Sequence, residues 1–309
     1  MNANSQAIII FCSHLCIPED VKPLEPHEWS SLAEKLMTHR LEPRHLLNFS
    51  VPDFVYRLGM SEEYAQRLLR LTDRSAGLFS EINRYAGEGI NIYTRADSAY
   101  PTQLKRKLGQ KCPPLFYCAG DMNILGLRSA GYVGSSDIND DDERFTRLTV
   151  KKTCANRLGV VSGGMSRLES VVAYTALSEG WPVIEYIACG LSALLKKKDV
   201  KDSVAGGRRV ILSEATPGAE KAISGSKYIY AQSEVSVMVR SSLNDDGAFS
   251  GAVENLKEKW SPLLCRDADY SGNRELIRMG AGAINDEWNV NMKILCKMRP
   301  HLQRFTGTA

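Results

Sequence analysis

The chain has 309 residues, 43% hydrophobic and 24% charged, with a net charge of +3, the make-up of a soluble globular protein with one large domain or a large and a small one. This balance excludes collagen, coiled coil and disorder, and charged residues interrupt every apolar stretch before it could cross a bilayer. The longest N-terminal apolar run, Ala7 to Phe11, has no Lys or Arg ahead of it to act as a signal-peptide n-region, so the protein is expected in the cytoplasm and off the membrane.

Eight cysteines (Cys12, Cys16, Cys112, Cys118, Cys154, Cys189, Cys265, Cys296) sit in a chain too large to need disulfides and form no doubled C-x-x-C spacing. They read as reduced, buried thiols. Charge is uneven along the chain: residues 1–100 carry 10 Lys+Arg against 13 Asp+Glu, and the remainder 29 against 23. The later part is therefore the basic one, by an excess that serves solubility as well as it would attract a polyanion.

From Glu28 to Gly87 the spacing predicts helices. Trp29, Leu32, Ala33 and Leu36 form one apolar stripe. Ser50-Val51-Pro52-Asp53 opens a second helix that Gly59 ends, and Ser61-Glu62-Glu63 opens a third with Tyr64, Leu68 and Leu71. The Leu58-Gly59-Met60 turn resembles that of a helix-hairpin-helix, whose amides can hold a DNA phosphate, and equally the way any bundle turns a corner.

Beyond residue 125 the pattern becomes short apolar runs, each followed by a small polar loop and a helical stretch, the alternation of a parallel sheet. The expected strands are Ser129 to Val133, Gly159 to Val161, Pro182 to Ala188, Arg209 to Leu212, Val235 to Val239 and Pro262 to Cys265. Their loops are Gly134-Ser135-Ser136, Ser162-Gly163-Gly164, Cys189-Gly190, Ser213-Glu214-Ala215-Thr216-Pro217-Gly218, Arg240-Ser241-Ser242 and Ser271-Gly272-Asn273. In an open α/β sheet such loops share one edge, where helix N-termini aim amide donors at an anion. Tight βα turns also need Gly and Ser for geometry alone, but their succession favours a nucleotide or nucleic-acid phosphate site. Neither the P-loop spacing nor Gly-x-Gly-x-x-Gly after the first strand is present, which removes support for ATPase and NAD-binding readings.

Taken in order, these segments resemble the DprA/Smf family of DNA-processing proteins. The resemblance begins at Tyr100-Pro101-Thr102-Gln103-Leu104 and Pro113-Pro114-Leu115-Phe116-Tyr117-Cys118-Ala119-Gly120. It continues through Tyr132-Val133-Gly134-Ser135, Val161-Ser162-Gly163-Gly164, Ala188-Cys189-Gly190-Leu191 and Leu212-Ser213-Glu214. It ends at Gly251-Ala252-Val253-Glu254-Asn255-Leu256 and at Ser271-Gly272-Asn273 with Leu276 to Ala281. It implies a doubly wound, mostly parallel, Rossmann-like α/β sheet over residues 96–285, preceded by a small helical domain of the SAM or helix-hairpin-helix kind over 1–95. Residues 286–309 would be a C-terminal helix or tail, too short for the winged helix that many members append.

The departures are specific. Gly134-Ser135-Ser136 stands where the family usually has Gly-Ser-Arg, and the acidic run Asp140-Asp141-Asp142-Glu143 follows. In the second loop Arg167 replaces a Gly and Glu169 an Asp, and Gly225-Ser226 replaces an Arg-Asn pair before Lys227-Tyr228-Ile229-Tyr230.

The resemblance implies single-stranded DNA as the ligand, with a RecA-type recombinase or a defence-system protein as partner, a homo-oligomeric state, and a role in DNA uptake, recombination or defence against foreign DNA. No cofactor or metal is expected, and no turnover. Binding would use Gly134, Ser135, Ser162, Gly163, Gly164, Arg167 and Gly190 on the earlier loops. Arg209, Ser213, Glu214, Lys227, Arg240, Gly251, Gly272 and Asn273 would complete it, with Lys or Arg neutralising phosphates and Tyr228 or Tyr230 stacking a base. Lys196-Lys197-Lys198, Lys201 and Arg208 are further cations, the first three equally well read as a solvated helix end.

The histidines are His14, His27, His39, His45 and His301, none inside the expected sheet, so Ser-His-Asp and Cys-His systems are excluded there unless the helical part supplies a base. The competing class is a nucleotide-derivative sensor or phosphoribohydrolase-like enzyme using the same crevice, for which Glu254, three residues after Gly251, is the candidate carboxylate. Glu169 and Glu214 are the other carboxylates near strand ends, and Glu254 reads better as a first-turn helix residue facing the dipole.

Overall fold

A computed structural model describes residues 1–220, 226–243 and 247–288. Gly225, Asp245, Asp246, Cys296, His301 and most of the expected tail lie outside these residues. The chain divides into two compact units, one made of residues 1–119, 189–198 and 212–222, the other of 120–188, 199–211 and the residues from 223 onward.

The first unit opens with α1 (Ala3–Cys12), which holds the apolar run Ala7 to Phe11 and buries all of it. Asn2 caps its start by accepting from the Ser5 amide, and Arg74 gathers its far end, donating to the carbonyls of Ile10 (2.6 Å), Ser13 (2.8 Å) and Leu15. Next come α2 (Pro26–Thr38), α3 (Glu62–Asp73) and α4 (Ser75–Gly87). Trp29, Leu32 and Leu36 are buried as the stripe predicts, while Ala33 is only half-buried. Ser61 caps α3 through the Tyr64 amide, and Gly59 supplies the left-handed φ of +61° at the turn before it. The helix expected from Ser50 includes a π-helical turn over Asp53–Arg57. Two strands that the sequence pattern did not reveal, β1 (Asn91–Thr94) and β2 (Leu115–Gly120), pair antiparallel with Asn91 opposite Cys118, and α5 (Thr102–Leu108) links them.

The second unit is the α/β sheet. In chain order its elements are β3 (Ser129–Val133), α6 (Asp140–Ala155), β4 (Gly159–Ser162), α7 (Arg167–Ser178) and β5 (Val183–Tyr186), then, after α8 (Leu191–Leu194) of the first unit, α9 (Lys198–Ala205) leading to β6 (Arg209–Ser213), whose last two residues count with the first unit. They continue with α10 (Ser226–Gln232), β7 (Val235–Met238), α11 (Ala248–Glu258), β8 (Leu263–Arg266), α12 (Ser271–Arg278) and a short β9 (Gly282–Ile284), which the sequence pattern also missed. All six expected strands are present, within a few residues of their expected ends.

The strands lie in the order β6-β5-β4-β3-β7-β8-β9. The β3–β4, β4–β5, β3–β7, β7–β8 and β8–β9 pairs are parallel. The chain starts at the centre, winds outward to β6, then returns beside β3 and winds the other way, so the sheet is doubly wound with its switch point between β3 and β7. Val160, Val183, Val237 and Tyr132 pack with Phe145 and Val150 of α6 and Leu168 and Val172 of α7 in one buried cluster. Each fully buried apolar side chain of that size contributes about 1.5–3 kcal/mol against leaving it in water.

Candidate nucleic-acid interface

The topology singles out the carboxyl ends of β3 and β7, where open α/β sheets place their ligands. The two loops there are bound to each other. The Ser135 amide donates to the Arg240 carbonyl at 2.9 Å, and a Cβ on Gly134 would sit 3.1 Å from that oxygen and 2.8 Å from Leu168 Cδ2. Gly134 and Ser135 therefore let the loop close onto Arg240, a backbone demand that exists with or without a ligand.

The acidic run is the first turn of α6. Asn139 caps it in a reciprocal box with Asp142, and four acidic side chains at a helix N-terminus complement its dipole. The turn also gathers arginines. Asp142, fully buried, accepts from Arg266, from Tyr270 Oη at 2.8 Å and from Arg240 Nη1 at 3.3 Å. Arg240 Nη2 reaches Asp137 at 3.4 Å, and Arg167 Nη2 lies 3.0 Å from both Asp140 and Glu143. Hydrogen bonds from Arg144, then from Arg266, hold the Asp141 carboxyl below the usual range, and Arg147, then Arg167, do the same for Glu143. Two expected binding cations, Arg167 and Arg240, are thus ion-paired within the protein. Arg266 and Tyr270 were missed by sequence reasoning. Tyr270 is half-buried, with the Arg240 guanidinium 4.8 Å from its ring centroid.

In the loop between β4 and α7, Ser166 and Glu169 form a second capping box. The Glu169 carboxylate accepts from the Met165 amide at 2.7 Å and the Ser166 amide at 2.6 Å, and a Cβ on Gly163 would fall 2.1 Å from its Oε1. Amides of the kind that a Gly-rich loop offers a phosphate are here taken by the chain's own carboxylate. Gly164 has φ +77°, and a Cβ on it would lie 2.9 Å from Ile187 Cγ2 and 3.1 Å from Glu185 Cδ. The Ser162 hydroxyl is buried and makes no hydrogen bond.

Arg209 needs a correction. It is the first residue of β6, so with Arg208 it starts at the amino end of that strand, and its side chain is only 8% exposed. Its Nε and Nη2 bind the two oxygens of fully buried Glu185 at 2.7 and 2.6 Å. Burial pushes the Glu185 carboxyl up from its ordinary value and Arg209 opposes that shift. Arg209 is a nearly buried cation whose guanidinium is committed to Glu185.

The loops after β5 and β6 belong to the first unit and bind each other. The Gly190 amide donates to the Ala219 carbonyl at 2.8 Å, a Cβ on Gly190 would lie 2.2 Å from the Pro217 carbonyl oxygen, and Ser213 Oγ donates to the Cys189 carbonyl at 2.7 Å. Glu214 follows Ser213 and is half-buried.

Lys227, in the first turn of α10, places its ammonium 4.9 Å from the Tyr228 ring and has no carboxylate partner among the described residues. The expected base-stacking tyrosines are interior: Tyr230 is fully buried, and Tyr228 packs on Tyr186 with centroids 5.7 Å apart. Gly251 allows α11 to pass α10, since a Cβ there would meet Ser226 Oγ at 2.8 Å. Glu254 lies in the second turn of α11, not the first. Gly272 and Asn273 form a latch. The Gly272 amide donates to the Ser241 carbonyl at 3.1 Å, while Asn273 accepts from Ser241 Oγ and donates to the carbonyls of Val239 and Arg266.

A family model described as DNA recombination-mediator protein A matches residues 91–294. The chain belongs to that family. DNA processing protein A (DprA) of Streptococcus pneumoniae has the same fold, with a TM-score of 0.64 at 18% identity over 84% of this chain and 95% of its own. DNA processing protein A of Helicobacter pylori, described for its unique single-stranded DNA binding mode, gives a TM-score of 0.51 at 20% identity over 68% of this chain and 95% of its own. No curated protein sequence matches. Against the DprA/Smf pattern, the position of the usual arginine after β3 is Ser136, beside the Asp137 that pairs with Arg240. No helix among the described residues is long and apolar enough to cross a membrane.

Proposed function

We propose that this protein binds single-stranded DNA along the carboxyl edge of β3, β4, β7 and β8, acting in DNA uptake, recombination or defence against foreign DNA without turning its ligand over. The observation that carries the reading is the switch point between β3 and β7, bordered by Arg240, Tyr270 and Arg167, in a chain of the recombination-mediator family. Arg167, Arg240 and Lys227 are the cations we assign to phosphates, and Tyr270 replaces Tyr228 and Tyr230 as the aromatic surface. The Helicobacter pylori relative, described for single-stranded DNA binding, supports the choice of ligand. In this reading residues 1–95 are an accessory helical module, 96–285 the binding domain and 286–309 a tail; the protein works as a homo-oligomer in the cytoplasm and hands DNA to a RecA-type recombinase or a defence partner.

The test is fluorescence anisotropy with labelled oligo-dT of increasing length, run beside a panel of mononucleotides. Affinity that grows with oligonucleotide length supports the reading. Saturable binding of one mononucleotide with no oligonucleotide binding replaces it with the nucleotide-sensor alternative. Release of free base from nucleoside monophosphates or NAD, lost in Glu254→Gln, would establish the phosphoribohydrolase-like one.

A further inference from the structure

Arg167 and Arg240 should give the switch-point edge a positive face, and the chain's own carboxylates meet both. Asp137 and Asp140 stand out because they are almost fully exposed and each pairs with one of these arginines. Their side chains are 90% and 99% exposed. Asp142, by contrast, is buried under Arg266 and Tyr270, and Glu143 also braces Arg147 one turn along α6 at 2.6 Å. Asp137 lies 3.4 Å from Arg240 Nη2, Asp140 3.0 Å from Arg167 Nη2.

We infer that Asp137 and Asp140 are affinity-setting residues, internal counter-ions that a DNA phosphate must displace from Arg240 and Arg167. This rests on the single-stranded DNA reading above. An exposed carboxylate at this range contributes little to stability, because solvent screens the pair and two side chains lose freedom in holding it. Its effect on a polyanion is larger. The nucleic acid releases condensed counter-ions only for phosphates that a cation neutralises, and a phosphate arriving at a paired arginine meets a carboxylate of its own sign. The edge then binds single strands weakly and with a shallow salt dependence, and discriminates against ligands that depend on charge alone. The two arginines are not equivalent. Each keeps a second carboxylate when its exposed one leaves, Glu143 at 3.0 Å for Arg167 and Asp142 at 3.3 Å for Arg240, but Arg167 is 52% exposed against 26% for Arg240 and is the more accessible to a phosphate. Asp140 should therefore matter more than Asp137.

The experiment measures oligo-dT affinity across a salt series for the full chain, Asp137→Asn, Asp140→Asn, the double variant and Asp20→Asn. Asp20 pairs with Arg70 in the first unit, so Asp20→Asn makes the same charge change in the other unit of the chain. The expected result is about 3- to 10-fold tighter binding for the double variant at low salt, mostly from Asp140→Asn. Its log–log salt slope should steepen by about 0.7 for each phosphate gained. Asp20→Asn should leave both unchanged. Adding Arg167→Gln should cost more affinity in the Asp140→Asn background than in the wild type, a coupling that a general change in net charge does not produce. Equal affinity and slope for wild type and double variant overturn the inference while the single-stranded DNA reading stands. No oligonucleotide binding by any variant overturns both.

Discussion

Glu185 and Arg209 show how one partner changes the meaning of a residue. Twenty-four positions apart in sequence, they form a two-pronged pair with Glu185 fully buried. Glu185→Gln should leave a buried guanidinium without its counter-charge and cost about 3–5 kcal/mol in denaturant unfolding, whereas Glu185→Leu with Arg209→Met should recover most of that loss. If the single and double variants unfold alike, the pair is not acting as a buried ion pair. Sequence reading placed Arg209 at the ligand edge because it adjoins Arg208 in a basic stretch; a partner on a neighbouring strand leaves no trace in local spacing. The carboxylates of α6 carry a pH signature. Asp141 and Glu143 have folded-state pKa values below their unfolded ones, so their stabilisation is complete above the ordinary carboxylate range and is lost as pH falls through the lowered values. Thermal melts should show no loss from this turn between roughly pH 7 and 5 and a loss below about pH 4, made shallower by Asp141→Asn.

At the scale of elements, α6 was the least legible. Its four acidic residues read as negative charge added to a loop, yet Asn139 and Asp142 make them a capped first turn that collects arginines from α7, β8 and the β7 loop. The cap was readable in Asn139 followed three residues later by an acid, but the arginines it holds are up to 125 positions away. The short strands β1 and β9 escaped notice for another reason: Asn91-Ile92-Tyr93-Thr94 and Gly282-Ala283-Ile284 each bury only their last residue, so neither makes the continuous apolar run that marks the buried strands. The Ser271-Gly272-Asn273 motif was legible as a motif, but its structural role was not. Its Gly accommodates the Ser241 backbone, where a Cβ would come within 2.6 Å of the carbonyl carbon, and its Asn ties β7 to β8. Gly272→Ala should therefore destabilise the protein by about 1–3 kcal/mol in chemical denaturation, since the clash is with backbone that cannot swing away. An unchanged midpoint would show that the latch can relax.

For the molecule as a whole, the alternation of apolar runs, small loops and helices made the doubly wound sheet readable, because each strand of a buried parallel sheet must be apolar and each βα turn small. The strand order was not readable, and it is the order that puts the switch point between β3 and β7 and so selects which loops matter. Of the residues at the proposed edge, the loops, Arg167, Arg240, Lys227 and the acidic run were nameable from sequence, whereas Tyr270, Arg266 and the pairing of the arginines with that run were not. The most direct test of the account is the salt dependence of oligo-dT binding by the wild-type chain beside Lys227→Ala. Lys227 has no carboxylate partner among the described residues, so its phosphate contact should appear undiminished. The expected result is an affinity that falls linearly with salt on a log–log plot, and a Lys227→Ala slope shallower by about 0.7 whatever the oligonucleotide sequence. Tight binding indifferent to salt, or an unchanged slope in Lys227→Ala, would contradict it.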